Sequence, residues 1–164
     1  MLSAIKSQLI LRKEELLNKT IESIYFGGGT PSLLSIDELQ LLIGIVYENY
    51  SVADNPEITL EANPDDLNKQ KLINLSTSRI NRLSIGIQSF FEDDLQSMNR
   101  SHSAQEAKNC LEEATKYFDN ISIDLIYGIP NMSLDKWAEN LEITFKYGIN
   151  HISSYALTVE PKTA

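Results

Sequence analysis

Five short apolar runs recur along the 164 residues at about the spacing of a βαβ unit, and every run but the last is followed by a stretch of helical periodicity. Strands connected in this way lie parallel in one sheet, with right-handed crossovers and the helices outside. No linker-like stretch divides the chain and no repeat suggests a solenoid. The expected fold is α/β in a single domain, residues 1–164.

The first run, Ile24-Tyr25-Phe26, breaks into Gly27-Gly28-Gly29-Thr30-Pro31. Three glycines permit positive φ and close approach by another molecule, and the proline ends strand pairing. The stretch reads either as a ligand-binding turn or as a surface loop that tolerates glycine. Ahead of it, Leu2, Ile5, Leu9, Leu16 and Leu17 outline an amphipathic helix over residues 2–18. After it, Ser35 and Glu38 form a capping box for a helix with Leu39, Leu42, Ile43 and Val46 on its apolar face. Asp54-Asn55-Pro56 reads as a break, and residues 58–62 as a strand stopped by Asn63-Pro64. Asn68 caps a helix that buries Leu72, Ile73 and Leu75. Residues 82–88 alternate as a strand, and Glu92-Asp93-Asp94-Leu95 is an acidic turn leading to Met98-Asn99-Arg100. A second capping box, Ser103 and Glu106, opens a helix with Ala107, Cys110, Leu111 and Ala114 inward. A strand at 121–127 closes at Gly128-Ile129-Pro130. Ser133 caps a helix with Trp137, Leu141 and Phe145 inward and Gly148 just past its end, before a last strand at 152–159.

The strand faces are unequal. Leu83, Ile85 and Ile87 oppose Ser84, Gly86 and Gln88; Ile58, Leu60 and Ala62 oppose Thr59 and Glu61; Ile121, Ile123 and Leu125 oppose Ser122 and Asp124. A sheet covered by helices on both sides would be apolar on both faces. One polar face fits a barrel or partial barrel whose interior takes a polar ligand, with the site at the carboxyl ends of the strands. Glu61, Gln88 and the glycines after Phe26 all lie there. Taken singly, Glu61 can instead begin an exposed loop, Gln88 can cap a helix and Arg100 can be a surface charge. As a site residue, Arg100 is the natural bidentate partner of a carboxylate.

The net charge of −9 argues against a sequence-independent nucleic-acid binder. No apolar run approaches the roughly 18 residues of a transmembrane span, and no signal peptide is apparent, so a cytoplasmic location is expected. The single cysteine, Cys110, reads as core; one thiol cannot make an internal disulfide or a Cys-based zinc site, nor can these residues alone hold an iron–sulfur cluster. His102 and His151 have no partners at metal-ligand spacing, so no metal ligands are assigned.

Phe26-Gly27-Gly28-Gly29-Thr30-Pro31, Leu60-Glu61-Ala62-Asn63-Pro64, Asn81 to Ser89, Asn99-Arg100 and Ile123 to Pro130 resemble, in order, motifs of the oxygen-independent coproporphyrinogen III oxidase family of radical S-adenosylmethionine (radical SAM) proteins. Leu60 to Pro64 and Ser153 to Pro161 look more like its HemW-like, haem-chaperone branch. The resemblance implies a partial (β/α)6 barrel, with five strands here, and SAM across the strand ends. It assigns SAM contacts to Gly28, Gly29, Thr30, Glu61, Gln88, Arg100, Asp124 and, weakly, Thr158, and it assigns no catalytic residue. Glu61 would hold the ribose hydroxyls and Arg100 the methionine carboxylate.

The resemblance also implies a [4Fe–4S] cluster, which cleaves SAM to a radical, and haem as a further group. The implied partners are a small-molecule tetrapyrrole or haem and an electron-donor protein. The family's C-x3-C-x2-C loop has no counterpart in these residues, nor has its carboxyl-terminal domain. The chain is accordingly expected to be the middle of a longer protein, inactive by itself. The alternatives are a non-catalytic haem carrier, in which SAM regulates or is vestigial, and a βα-barrel enzyme using the glycine turn for phosphate. Against the last, no lysine follows Thr30-Pro31.

Overall fold

The computed structural model describes residues 1–149 and 151–158. The elements are α1 (Leu2–Leu11), β1 (Thr20–Phe26), α2 (Ile36–Asn49), β2 (Ser51–Ala62), α3 (Lys69–Ser76), β3 (Arg82–Gln88), α4 (Glu92–Ser97), α5 (Ala104–Ala114), β4 (Ile121–Tyr127), α6 (Leu134–Lys146) and β5 (His151–Ala156). The five strands form one parallel sheet in the order β1-β2-β3-β4-β5. Each strand neighbours the next, so the crossovers all run the same way and the sheet curls into a half-barrel with helices outside.

The core lies between the convex face of the sheet and the helices. Leu60, Leu83, Ile85, Ile123 and Leu125 are fully buried there with Ile43, Leu72, Leu75 and Leu111 from α2, α3 and α5. Burial of each such side chain contributes about 1.5–3 kcal/mol. Both capping boxes and the Asn68 and Ser133 caps form as their residue types predict.

The concave face is polar and largely dry. Arg82 is buried on it, and its guanidinium donates to Thr59 Oγ1 (3.2 Å) and Ser122 Oγ (2.9 Å), lies 3.4 Å from His151 Nδ1 and pairs with Glu57 at 3.7 Å. One side chain thus links β2, β3, β4 and β5 below the carboxyl ends of the strands. A buried cation this well supplied with acceptors avoids the desolvation cost that would otherwise expel it.

Five details differ from the sequence reading. Asp54-Asn55-Pro56 does not break the chain: β2 runs through it, because β1 advances from Ile21 to Ser23 while β2 advances from Val52 to Glu57, and the extra residues bulge where Pro56 needs no partner for its missing N–H. The acidic turn after Phe91 is a helix, α4, its three carboxylates favoured at a positive amino end. The first helix stops at Leu11, a 3-10 turn follows at Lys13–Leu16, and Leu17 is exposed. Phe145 is 62% exposed: the stripe of α6 that faces the protein is Trp137, Asn140, Leu141 and Thr144, and Phe145 lies beyond its edge, about 40° past Leu141. Strand β5 ends at Ala156, where Leu157 N–H donates to Tyr127 O; the predicted end at Val159 lies outside the described residues.

No described helix is long and apolar enough to cross a membrane.

Candidate functional site at the strand ends

At the end of β1, Gly28, Gly29 and Thr30 take φ of 73°, 67° and 69° in succession. Two glycines adopt this left-handed path freely, whereas Thr30 does so against its β-branched side chain. Strain of that kind is retained where the surroundings enforce it. Here Ser32 Oγ donates to Asp66 Oδ2 (2.6 Å), and the Lys71 ammonium donates to the Ser32 carbonyl, fastening the turn to the segment after β2.

Glu61, one residue from the end of β2, accepts the Tyr25 hydroxyl on Oε1 (2.7 Å) and the Gly28 N–H on Oε2 (2.9 Å). Gln88 ends β3 with φ of 67°, after one extra residue slips into β3 relative to β4; the bulge sets the direction of its side chain. Arg100 follows α4 and donates from Nη2 to Asn63 Oδ1 at 3.0 Å; it forms no ion pair among the described residues. Asp124 is half-buried in β4. Burial, reinforced by the charge of Glu61, pushes its carboxyl above the usual range, with Ser153, His151 and Arg82 acting the other way.

These side chains border one cavity of about 250 Å³ that Gly29, Thr30, Glu61, Gln88, Arg100 and Asp124 all line. Gly28 contributes its N–H to Glu61 and otherwise faces a neighbouring apolar groove beside α1 and α2. Thr158 is exposed beyond β5 and does not line the cavity. Asn63, Ser84 and Gly86 line it too, although none was singled out as a site residue. Ser84 and Gly86 were visible in the alternation of β3, and Asn63 in the run ending at Pro64. A Cβ on Gly86 would stand 2.9 Å from Gln88 Nε2 and 3.4 Å from Arg100 Nη2, so the bare Cα makes room for both.

Behind the cavity, two buried arrangements hold the loop that carries Arg100. His102 Nε2 lies 3.1 Å from the Ile87 carbonyl, which requires an N–H there, and its Nδ1 has no partner among the described residues. Burial holds the His102 pKa below its ordinary value. On the other side Asp94 accepts from Ser89 Oγ (2.6 Å) and Lys136 Nζ (2.6 Å), and Asn140 Oδ1 accepts the Phe90 N–H (2.8 Å).

The family model for the radical SAM superfamily matches residues 5–154. The chain belongs to that superfamily. It is 40% identical over 146 residues to the heme chaperone HemW of Buchnera aphidicola from Acyrthosiphon pisum, covering 89% of this chain and 39% of that protein. It is 38% identical over 163 residues to HemW of Buchnera aphidicola from Schizaphis graminum, covering 99% and 42%. The coproporphyrinogen III oxidase HemN of Escherichia coli, a radical SAM enzyme, superposes with a TM-score of 0.86 at 25% identity over 98% of this chain and 37% of that one. The chain therefore spans about two fifths of the length of the curated relatives it matches.

Membership implies SAM and a [4Fe–4S] cluster. The residues present do not fit the cluster. Cys110 is buried in α5, where desolvation pushes its thiol up to about 12, and no group of three or more His, Cys, Asp or Glu among the described residues could hold a metal.

Proposed function

We propose that residues 1–164 form one incomplete barrel domain that supplies the SAM-binding wall of a radical SAM protein of the HemN/HemW kind, acting in tetrapyrrole or haem metabolism. The observation that carries the reading is the convergence of Gly29, Thr30, Glu61, Gln88, Arg100 and Asp124 around one cavity at the strand ends. The donor set suits a ligand that is an amino acid at one end and a nucleoside at the other. Arg100, a cation without an ion-pair partner among the described residues, takes the methionine carboxylate. The ammonium group is received by Asp124 and the carbonyls of the 28–30 turn, and the ribose hydroxyls by Glu61. Gln88 donates or accepts along the same wall, and Thr158, outside the cavity, is given no contact. These residues would hold SAM; the redox chemistry would belong to a cluster that they do not ligate. The full-length protein then needs an electron-donor protein and a tetrapyrrole as its small-molecule partner.

Calorimetric titration of this chain with SAM tests the pocket. Glu61→Ala and Arg100→Ala should each weaken binding about tenfold or more, since each removes a charged hydrogen-bonding partner. Affinity unchanged from that of the unmodified chain in both variants would dismiss the assignment. For the full-length protein, reconstituted with iron and sulfide, the expected product is 5′-deoxyadenosine.

The names of the two HemW relatives favour a second reading, in which the full-length protein carries haem and the barrel serves as scaffold. Titration with haem beside an assay for coproporphyrinogen decarboxylation separates the two: an oxidase decarboxylates its substrate, and a carrier binds haem without doing so.

A further inference from the structure

Tyr25 points from β1 onto the polar face of the sheet, and its hydroxyl donates to Glu61 Oε1 at 2.7 Å. The Gly28 N–H donates to the other oxygen at 2.9 Å. Each carboxylate oxygen therefore has one partner from the protein and keeps acceptor capacity for a ligand. The Tyr25 ring packs over Gly27, where a Cβ would come within 2.7 Å of ring Cε1 and 3.0 Å of Glu61 Oε1. Ring, turn and carboxylate form one unit, and Glu61 makes no ion pair among the described residues.

We propose that Tyr25 is a positioning residue that makes Glu61 selective for a ligand carrying a cis vicinal diol. The proposal rests on the reading of the cavity as a SAM pocket and names what orients one of its walls. A carboxylate fixed at both oxygens offers two acceptors at a set spacing and orientation. A ribose presents two hydroxyl donors to match, one to each oxygen. A carboxylate free to rotate would serve a single hydroxyl, a water or an ammonium equally well, and would lose rotamer freedom on binding the diol. Tyr25 is 55% exposed overall, but desolvation at its hydroxyl and then the hydrogen bond to Glu61 raise its pKa against an opposing contact from Ser84, so the hydroxyl remains a donor through the neutral range.

Tyr25→Phe removes the donor and keeps the ring over Gly27. Calorimetry on this chain measures SAM and its 2′-deoxy counterpart against the unmodified protein and the variant, with thermal melting recorded for both. The expected result is SAM binding about fivefold weaker in Tyr25→Phe, with little change for the 2′-deoxy ligand and an unchanged melting temperature. A purely structural role would affect both ligands alike or neither. Equal SAM affinity in the two proteins, or an equal loss for both ligands, overturns the assignment of Tyr25 alone. Absence of SAM binding by the unmodified chain overturns the pocket reading and Tyr25 with it. A Tyr25→Ala variant that melts early while Tyr25→Phe binds as the unmodified protein does assigns the ring to packing only, and also overturns the proposal.

Discussion

Gly86→Ala adds one methyl group to the wall of the cavity, and the structure says what that methyl meets. Its nearest neighbours are Gln88 Nε2 at 2.9 Å, Arg100 Nη2 at 3.4 Å and Asn63 Oδ1 at 3.6 Å. The first is a severe overlap, but all three atoms are ends of side chains, so they can turn away while the backbone stays put. Gly86 does not have positive φ, and replacing glycine in a strand recovers about 0.5–1 kcal/mol of conformational entropy. Repacking of Gln88 and Arg100 costs a similar amount, toward the low end of the 1–3 kcal/mol usual for overpacking. Net stability should change by less than about 1 kcal/mol, or a few degrees in melting temperature for a domain of this size. Ligand binding should suffer far more, because the displaced groups are the cation and the amide that face the cavity. Losing one charged hydrogen bond alone weakens binding by about 1.5–3 kcal/mol, or tenfold to a hundredfold. Melting curves and SAM titration of the same samples measure both. Unchanged SAM affinity, or a fall of ten degrees or more in melting temperature, would refute the reasoning.

Three further perturbations have definite outcomes. Asp94→Ala strips the buried Ser89 hydroxyl of its 2.6 Å acceptor and leaves the Lys136 ammonium paired with Asp93 alone, and should lower stability in urea unfolding by about 1–3 kcal/mol. His102 has a folded pKa below the ordinary 6.5, so as pH falls through 6.5 the unfolded chain takes up a proton that the folded one resists, and stability is lost. Arg100 opposes protonation there, while Asp65 and Glu106 favour it; His102→Gln should flatten the stability profile between about pH 7 and pH 5. Asp124 works in the opposite sense: its folded pKa lies above the ordinary 3.8, so its contribution falls as pH rises through that raised value. Asp124→Asn should therefore stabilise the chain at pH 7 in urea unfolding while weakening SAM binding, and a loss of stability at pH 7 would contradict the sign.

Alternation and caps carried most of the architecture. Ser84 opposite Leu83 and Asp124 opposite Ile123 already distinguish a half-barrel with a polar interior from a sheet covered on both sides. What misled was local chemistry read without its partner. Pro56 ends a strand only if its absent N–H was needed, and a register shift against β1 removes that need. The spacing of Trp137, Leu141 and Phe145 points Phe145 inward, but Asn140 holds the buried stripe as the acceptor of the Phe90 N–H, and Thr144 donates to the Asn140 carbonyl beside it. The motifs that carry the family resemblance contain the six assigned residues that meet at the cavity, and Asn63, Ser84 and Gly86 besides, yet they give no hint of Asn63 as the partner of Arg100, nor of Tyr25 as the partner of Glu61. Those pairings span 36 or 37 positions and exist only once β1, β2 and the loop after α4 are side by side.

The guanidinium of Arg82 has a mechanical consequence. By gripping Thr59, Ser122 and His151 together from its own place on β3 it sets how tightly four neighbouring strands curve toward their shared centre. Glu61 and Asp124 sit two residues further along two of those same strands, so the width of the opening between them is governed from beneath. Substitutions around Arg82 would be felt as a change in the gauge of the mouth, at a distance, with every lining side chain still in place.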